Sequence, residues 1–196
     1  MEKAEVYCYT IPECPTILIL NGASYPGEAN LERLLNFETQ MLNLQIAMEN
    51  SFISIAASYD RPSIVFCDRG ACDISAYMPR KSWESVLAYG GYEEGQLLGR
   101  YDAVVHLTTA AEGAEKFYTS VNNQARTETA EEAREMDEKT RNSWKCHNNR
   151  IIVENGPEGM SGKIDEVTRS VSFLLSTDPS FPFLHQCIIL TNIYIL

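Results

Sequence analysis

Positive charge is scarce in this chain. Sixteen lysines and arginines stand against 27 aspartates and glutamates, a formal net charge of −11 over 196 residues. That balance excludes broad nucleic-acid binding, which needs a basic footprint, although a local basic patch can exist within an acidic whole. No two of the six cysteines (Cys8, Cys14, Cys67, Cys72, Cys146 and Cys187) form a Cys-x-x-Cys pair. A metal site built from Cys67, Cys72, Cys146 and His147 would match no zinc spacing. No apolar run reaches the ~20 residues of a membrane span. Glu2, Lys3 and Glu5 interrupt any apolar region that could serve as a leader. Reduced thiols in a cytoplasmic compartment are the expectation that follows. There is no internal repeat.

The totals that remain are ordinary. Apolar residues make up 44% and charged residues 22%, and the length suffices for one domain with its own core. The most informative stretch is Ser63–Asp68, followed by Arg69-Gly70. An apolar run without polar alternation suits a strand buried on both faces. Ending it on an acid and a base places chemistry where open α/β sheets build their sites, at the carboxyl ends of strands. Glu5–Tyr9 reads as an earlier strand. Pro12 and Pro15 flank Glu13 and hold that acid in an extended turn, beyond which Thr16–Asn21 can start a helix. Leu31, Leu34, Leu35, Met41, Leu44 and Met48 recur at steps of three and four, predicting a long amphipathic helix from Ala29 to Ser58.

Further on, Arg69–Asp73 reads as a turn, Lys81–Tyr89 and Glu93–Leu98 as helices, and Asp102–Thr108 as a second buried strand in which His106 is a core histidine. Residues 110–125 are small and polar, the composition of a mobile segment. Thr129 and Glu132 form a capping-box pattern that starts a helix. Arg134, Asp137, Glu138, Arg141 and Lys145 line one of its faces. Arg150–Glu154 is a third strand and Ser161–Leu175 a final helix. Cys187–Leu196 is an uncharged, β-prone run at the end of an atypical apolar tail, residues 176–196; exposed, it would invite aggregation.

Strands alternating with helices predict a three-layer α/β fold around a parallel sheet. An acid at a strand end suggests a P-loop kinase, whose loop reads Gly-x-x-x-x-Gly-Lys-Ser/Thr. No such motif occurs. The nearest imitation, Gly156-Pro157-Glu158-Gly159-Met160-Ser161-Gly162-Lys163-Ile164, follows a strand and opens a helix. Its spacing is wrong, Pro157 removes an amide donor and Glu158 would repel a phosphate. A simple strand-to-helix loop is the better account.

At Asp68-Arg69-Gly70, Asp73 and Tyr77, and again at Arg126, Glu128, Ala133-Arg134, Asp137, Trp144, His147 and Asn155, the sequence resembles a family. It is similar to the P-loop AAA-type domain shared by the ribosylnicotinamide kinase part of NadR and the TRPL translocation defect protein, over roughly residues 5 to 172. The resemblance implies a nucleoside-kinase-like fold with a site for Mg²⁺ and ATP or GTP. For the translocation-defect branch it implies GTP and phosphoinositide lipid as partners, in an adaptor of membrane traffic at a cytoplasmic, peripherally membrane-bound location. By motif position Asp68 is the acid that orders Mg²⁺. Arg69, Asp73 and Tyr77 contact substrate, and Glu13 contacts or deprotonates the accepting hydroxyl. Arg126 and Arg134 are lid arginines that stabilise the transferring phosphoryl and, with Asn155, hold the nucleotide.

Two departures accompany the resemblance. The family opens with a strand, a Gly-Lys-Thr loop and a helix, a unit of about 30 residues, whereas this sequence starts where the second strand should. The expectation is therefore a sheet of P-loop kinase type lacking its first strand and phosphate loop, a truncated domain over residues 1–175 with negligible kinase or NTPase activity. The family's first strand lies mid-sheet, between its third and fourth strands. Its absence would leave open edges beside the Asp68 strand, and Cys187–Leu196 is the segment available to substitute.

Overall fold

The computed structural model describes residues 6–27, 29–113, 129–177 and 185–191. Strand β1 (Tyr7–Ile11) leads through Glu13 into α1 (Cys14–Leu20), and then comes the long helix α2 (Leu31–Ala57). Strand β2 (Ser63–Asp68) follows, then a 3-10 helix (Ala71–Tyr77), α3 (Arg80–Gly90), α4 (Glu94–Leu98) and β3 (Ala103–Leu107). The described chain resumes with α5 (Ala130–Ser143), β4 (Arg150–Val153), α6 (Met160–Thr177) and β5 (His185–Thr191).

The five strands form one sheet in the order β1-β2-β5-β3-β4, every neighbouring pair parallel. The predicted parallel α/β architecture is therefore present. Its centre is the segment read as an apolar tail. Strand β5 pairs with β2 from Ser63↔His185 to Asp68↔Leu190 and with β3 from Ala103↔Ile188 to His106↔Thr191. Cys187, Ile188 and Ile189 are fully or almost fully buried. An uncharged β-branched run, hazardous at a surface, suits the central position of a sheet that is covered on both faces and paired on both sides.

Side chains alternate across the sheet with the strand period of two. Val65, Cys67, Val104, Cys187 and Ile189 join one core with Leu42, Ile46, Trp83 and Trp144. Ile64, Ala103, Val105, Leu107 and Ile188 join a second core with Val171, backed by Val167 and Leu174 of α6. Helices thus cover both faces.

Local chemistry sets the helix ends. Asn30 caps α2 by accepting from the Arg33 N–H at 3.0 Å, and the predicted Thr129–Glu132 capping box opens α5. Gly91, at φ 73°, terminates α3 in the left-handed conformation that glycine adopts without penalty. Three expectations are corrected. Strand β1 runs two residues later than Glu5–Tyr9. Helix α1 starts at Cys14, because Pro15 sits in the first turn where its missing N–H costs no hydrogen bond. The Arg69–Asp73 turn continues as seven residues of 3-10 helix, stapled by the Asp73 carboxylate accepting from the Gly70 N–H at 2.7 Å.

Candidate functional site

Strands β1 and β2 deliver Glu13 and Asp68-Arg69 to the same end of the sheet, since Ile11 lies opposite Cys67 in the register. The Arg69 guanidinium Nε meets Glu13 Oε1 at 2.6 Å, and Glu13 Oε2 accepts from the Thr16 hydroxyl at 2.9 Å. Arg69 Nη1 also donates to the Tyr77 hydroxyl, with the guanidinium 5.5 Å from the Tyr77 ring centre. Glu13, Arg69, Gln45, Gly70, Asp73 and Tyr77 enclose a cavity of only about 40 Å³. That is room for a water or two, so a nucleoside would have to part the Glu13–Arg69 pair to enter.

Arg69 has φ 65°, alone among the described non-glycine residues in the left-handed region. For an L-residue this costs about 1 kcal/mol or more, comparable with what a partly exposed ion pair returns. The backbone around it is held from three sides. Its N–H donates to Leu190 O at 3.1 Å, its carbonyl accepts from Gln45 Nε2 at 3.3 Å, and two residues on the Ala71 N–H donates to the Tyr101 hydroxyl at 2.8 Å. Behind Gln45 and Tyr101 stands Glu49, 0% exposed. Its Oε1 accepts from Gln45 at 2.9 Å and from Tyr101 at 2.6 Å, and its Oε2 from Arg100 at 2.8 Å. Sequence reading missed this hub. The signal was available: Glu38, Gln45 and Glu49 interrupt the apolar stripe of α2, and a polar residue on a buried helical face needs a partner.

The Asp68 carboxyl is half-buried and has no hydrogen-bond partner among the described residues. Burial, followed by the negative charge of Glu13, raises its pKa to about 6, against the opposing pull of Arg69. Such a carboxylate fits a hard cation, because Mg²⁺ takes one or two protein carboxylates and completes its shell with water and phosphate. Among the described residues no three His, Cys, Asp or Glu side chains gather as a metal-holding cluster. Cys67 lies instead 3.7 Å, sulfur to sulfur, from Cys187.

Asp73 is fully buried, and its second oxygen accepts from the Trp144 indole N–H at 2.8 Å, so both oxygens are engaged in holding the turn. The other expected residues lie beyond β3 and β4. Arg134 Nη1 donates to Ala111 O at 2.9 Å, and the Asn155 amide donates to Thr109 O and Glu112 O, both at 2.7 Å. Together they fix the turn after β3. Arg126 and Glu128 lie outside the described residues, as does most of the segment 110–125. His106 is satisfied as expected, between Thr191 Oγ1 at 2.8 Å and Asp137 Oδ2 at 3.2 Å.

The imitation loop is a strand-to-helix connection, as its sequence predicts. Lys163 is buried, its ammonium donating to Thr108 O, and its pKa is lowered by that burial. It is therefore committed to a backbone carbonyl.

An all-parallel five-stranded sheet flanked by helices, with an acid–arginine turn at the carboxyl end of an inner strand, is an α/β architecture consistent with a P-loop kinase-like fold. Residues 5–159 match the family described as AAA domain, and the chain belongs to that family, an AAA/P-loop NTPase-like domain of nucleotide-binding type. No curated protein and no solved structure matches it. No helix among the described residues is long and apolar enough to cross a membrane.

Proposed function

We propose that this chain is a nucleoside-kinase-like nucleotide-binding module that carries the metal-and-acceptor side of a phosphoryl-transfer centre and binds nucleotide without turning it over. The observation that carries this reading is the Glu13–Arg69 pair at 2.6 Å beside Asp68, an acid, a cation and a second acid on adjacent parallel strand ends. Asp68 is the residue that would hold Mg²⁺ with a nucleoside triphosphate. When bound, Mg²⁺ neutralises phosphate charge. Arg69, held in place from its backbone, is set to exchange the Glu13 carboxylate for an anionic ligand oxygen. The exchange would release Glu13 toward an accepting hydroxyl. Arg134, exposed on the far side of β5, contributes a cation from the lid side.

Turnover needs more than these residues. Phosphoryl transfer depends on positioning by a backbone cradle and its lysine, and the sequence contains neither Gly-x-x-x-x-Gly-Lys-Ser/Thr nor a free lysine in the imitation loop. The test is equilibrium binding of fluorescent ATP and GTP analogues with Mg²⁺ and with EDTA, alongside a phosphate-release assay. The expected result is Mg²⁺-dependent binding that Asp68→Asn removes, with no phosphate release. Binding indifferent to both EDTA and Asp68→Asn would remove the site from Asp68, and clear Mg²⁺-dependent turnover would refute the inactivity.

A further inference from the structure

A second cavity lies apart from the Asp68 turn. It is a cleft of about 650 Å³, walled by Tyr77–Arg80 at the bend between the 3-10 helix and α3, by Glu94 and Leu98 of α4, and by Met136, Lys139, Lys145 and Cys146 along and just beyond α5. That volume lies within the range of small-molecule sites. Its floor is apolar, from Met78, Leu98 and Met136.

The charge of the cleft runs against that of the chain. Arg80, Lys139 and Lys145 supply three cations, and Glu94 is the one acid. Glu94 is already occupied: it accepts from Arg80 at 2.8 Å and from the Trp83 indole at 2.9 Å, and these two donors hold its pKa below the usual carboxylate range. Arg80 is in turn committed to Glu94 and Glu84. Lys139 and Lys145 form no ion pair among the described residues; Lys145 feels the Glu94 carboxylate only at longer range, so with Arg80 the cleft carries three cations against one acid, in a chain of net charge −11. Two ammonium groups acting as point charges suit a phosphate, and the methionine and leucine surface suits a ring.

We infer that this cleft binds a small organic phosphate, its anionic group drawn to Lys139 and Lys145 and its apolar body resting on Met78, Leu98 and Met136. The assignment is independent of the nucleotide reading, since none of these residues belongs to the Asp68 site. Tyr77 is the wall common to both, lining the cleft and accepting from Arg69.

The experiment uses phenyl phosphate as the probe, with phenol and inorganic phosphate as its two halves, titrated into the whole chain by calorimetry. Saturable binding of phenyl phosphate is expected, with each half at least about tenfold weaker. A Lys139→Gln/Lys145→Gln variant should weaken it by about tenfold, while Arg69→Ala leaves it unchanged. A readout on the unaltered chain accompanies this. Cys146 lines the cleft and Cys8 is exposed elsewhere, so phenyl phosphate should slow alkylation of Cys146 and leave Cys8 at its own rate. The inference is overturned if no saturation is seen, if the lysine variant binds undiminished, if Arg69→Ala abolishes binding, or if Cys146 gains no protection over Cys8.

Discussion

Arg69 and Glu13 meet at 2.6 Å across the ends of two parallel strands, and Arg69 does so from a left-handed backbone. The contact and the strain can be separated by substitution. Arg69→Gly and Arg69→Ala both delete the ion pair, but only glycine accepts φ 65° without steric cost. Arg69→Gly should be more stable than Arg69→Ala by about 1 kcal/mol in urea melts. Equal midpoints would show that the backbone at 69 carries no strain.

Metal-dependent nucleotide binding should follow the ionisation of Asp68. Its pKa is raised to about 6, chiefly by burial, so the carboxylate is charged and able to hold a cation above pH 6 and becomes neutral below it. Affinity for Mg²⁺–nucleotide should therefore fall as the pH is lowered from 7 to 5. A flat profile over that interval would assign metal binding elsewhere.

Glu38 makes a prediction of opposite sense about stability. It is buried on α2, one of its oxygens has no partner, and burial raises its pKa to about 7. The folded state therefore favours the proton. This contribution to stability is complete below the unfolded value near 4.5 and is lost as pH rises through 7. Glu38→Gln should raise the stability at pH 8 by on the order of 2 kcal/mol, with a smaller gain at pH 5. Thermal melts of both proteins at the two pH values measure it, and an equal gain at each would contradict it.

Removing the buried hub should be costly. Glu49→Ala strands Gln45, Tyr101 and Arg100 at once, a loss of about 2–4 kcal/mol. Glu49→Gln, which can still accept from Tyr101, should lose less than half of that. Chemical denaturation ranks the two, and a reversed order would mean that the Arg100 pairing dominates.

Gly70 reports on the seat of β5. A methyl placed there would stand 2.4 Å from Ile189 Cδ1 and 3.0 Å from the Trp144 ring. Gly70→Ala should cost about 1–3 kcal/mol, and adding Ile189→Val, which deletes that Cδ1, should recover part of it. A double variant as unstable as the sum of the singles would place the clash elsewhere.

Much of the fold was legible because its signals are local. The run Ser63–Asp68, the stripe of α2 and the Thr129–Glu132 box each carry their own periodicity or cap, and each formed within a residue or two of expectation. The imitation loop could be dismissed on its spacing alone. Less legible were arrangements decided by distant partners. Nothing near Cys187 states that it will stand between β2 and β3; only its lack of charge hinted at burial. The turn after Gly70 became a 3-10 helix because Asp73 reaches both the Gly70 N–H and Trp144, 71 residues away. Glu13 and Asp68-Arg69 could be placed at strand ends, but not the ion pair by which Arg69 turns back to Glu13.

The place of β5 also bears on how the protein is made. Strands β1–β2 and β3–β4 form two hydrogen-bonded pairs that touch within the sheet only through His185–Thr191, and that is the last of the five strands to be synthesised. While the ribosome is still translating, each pair has an open inner edge able to capture a strand from another chain. The sheet can close only after residue 191 has cleared the exit tunnel, and nascent chains arrested before residue 185 should depend on chaperones to stay soluble.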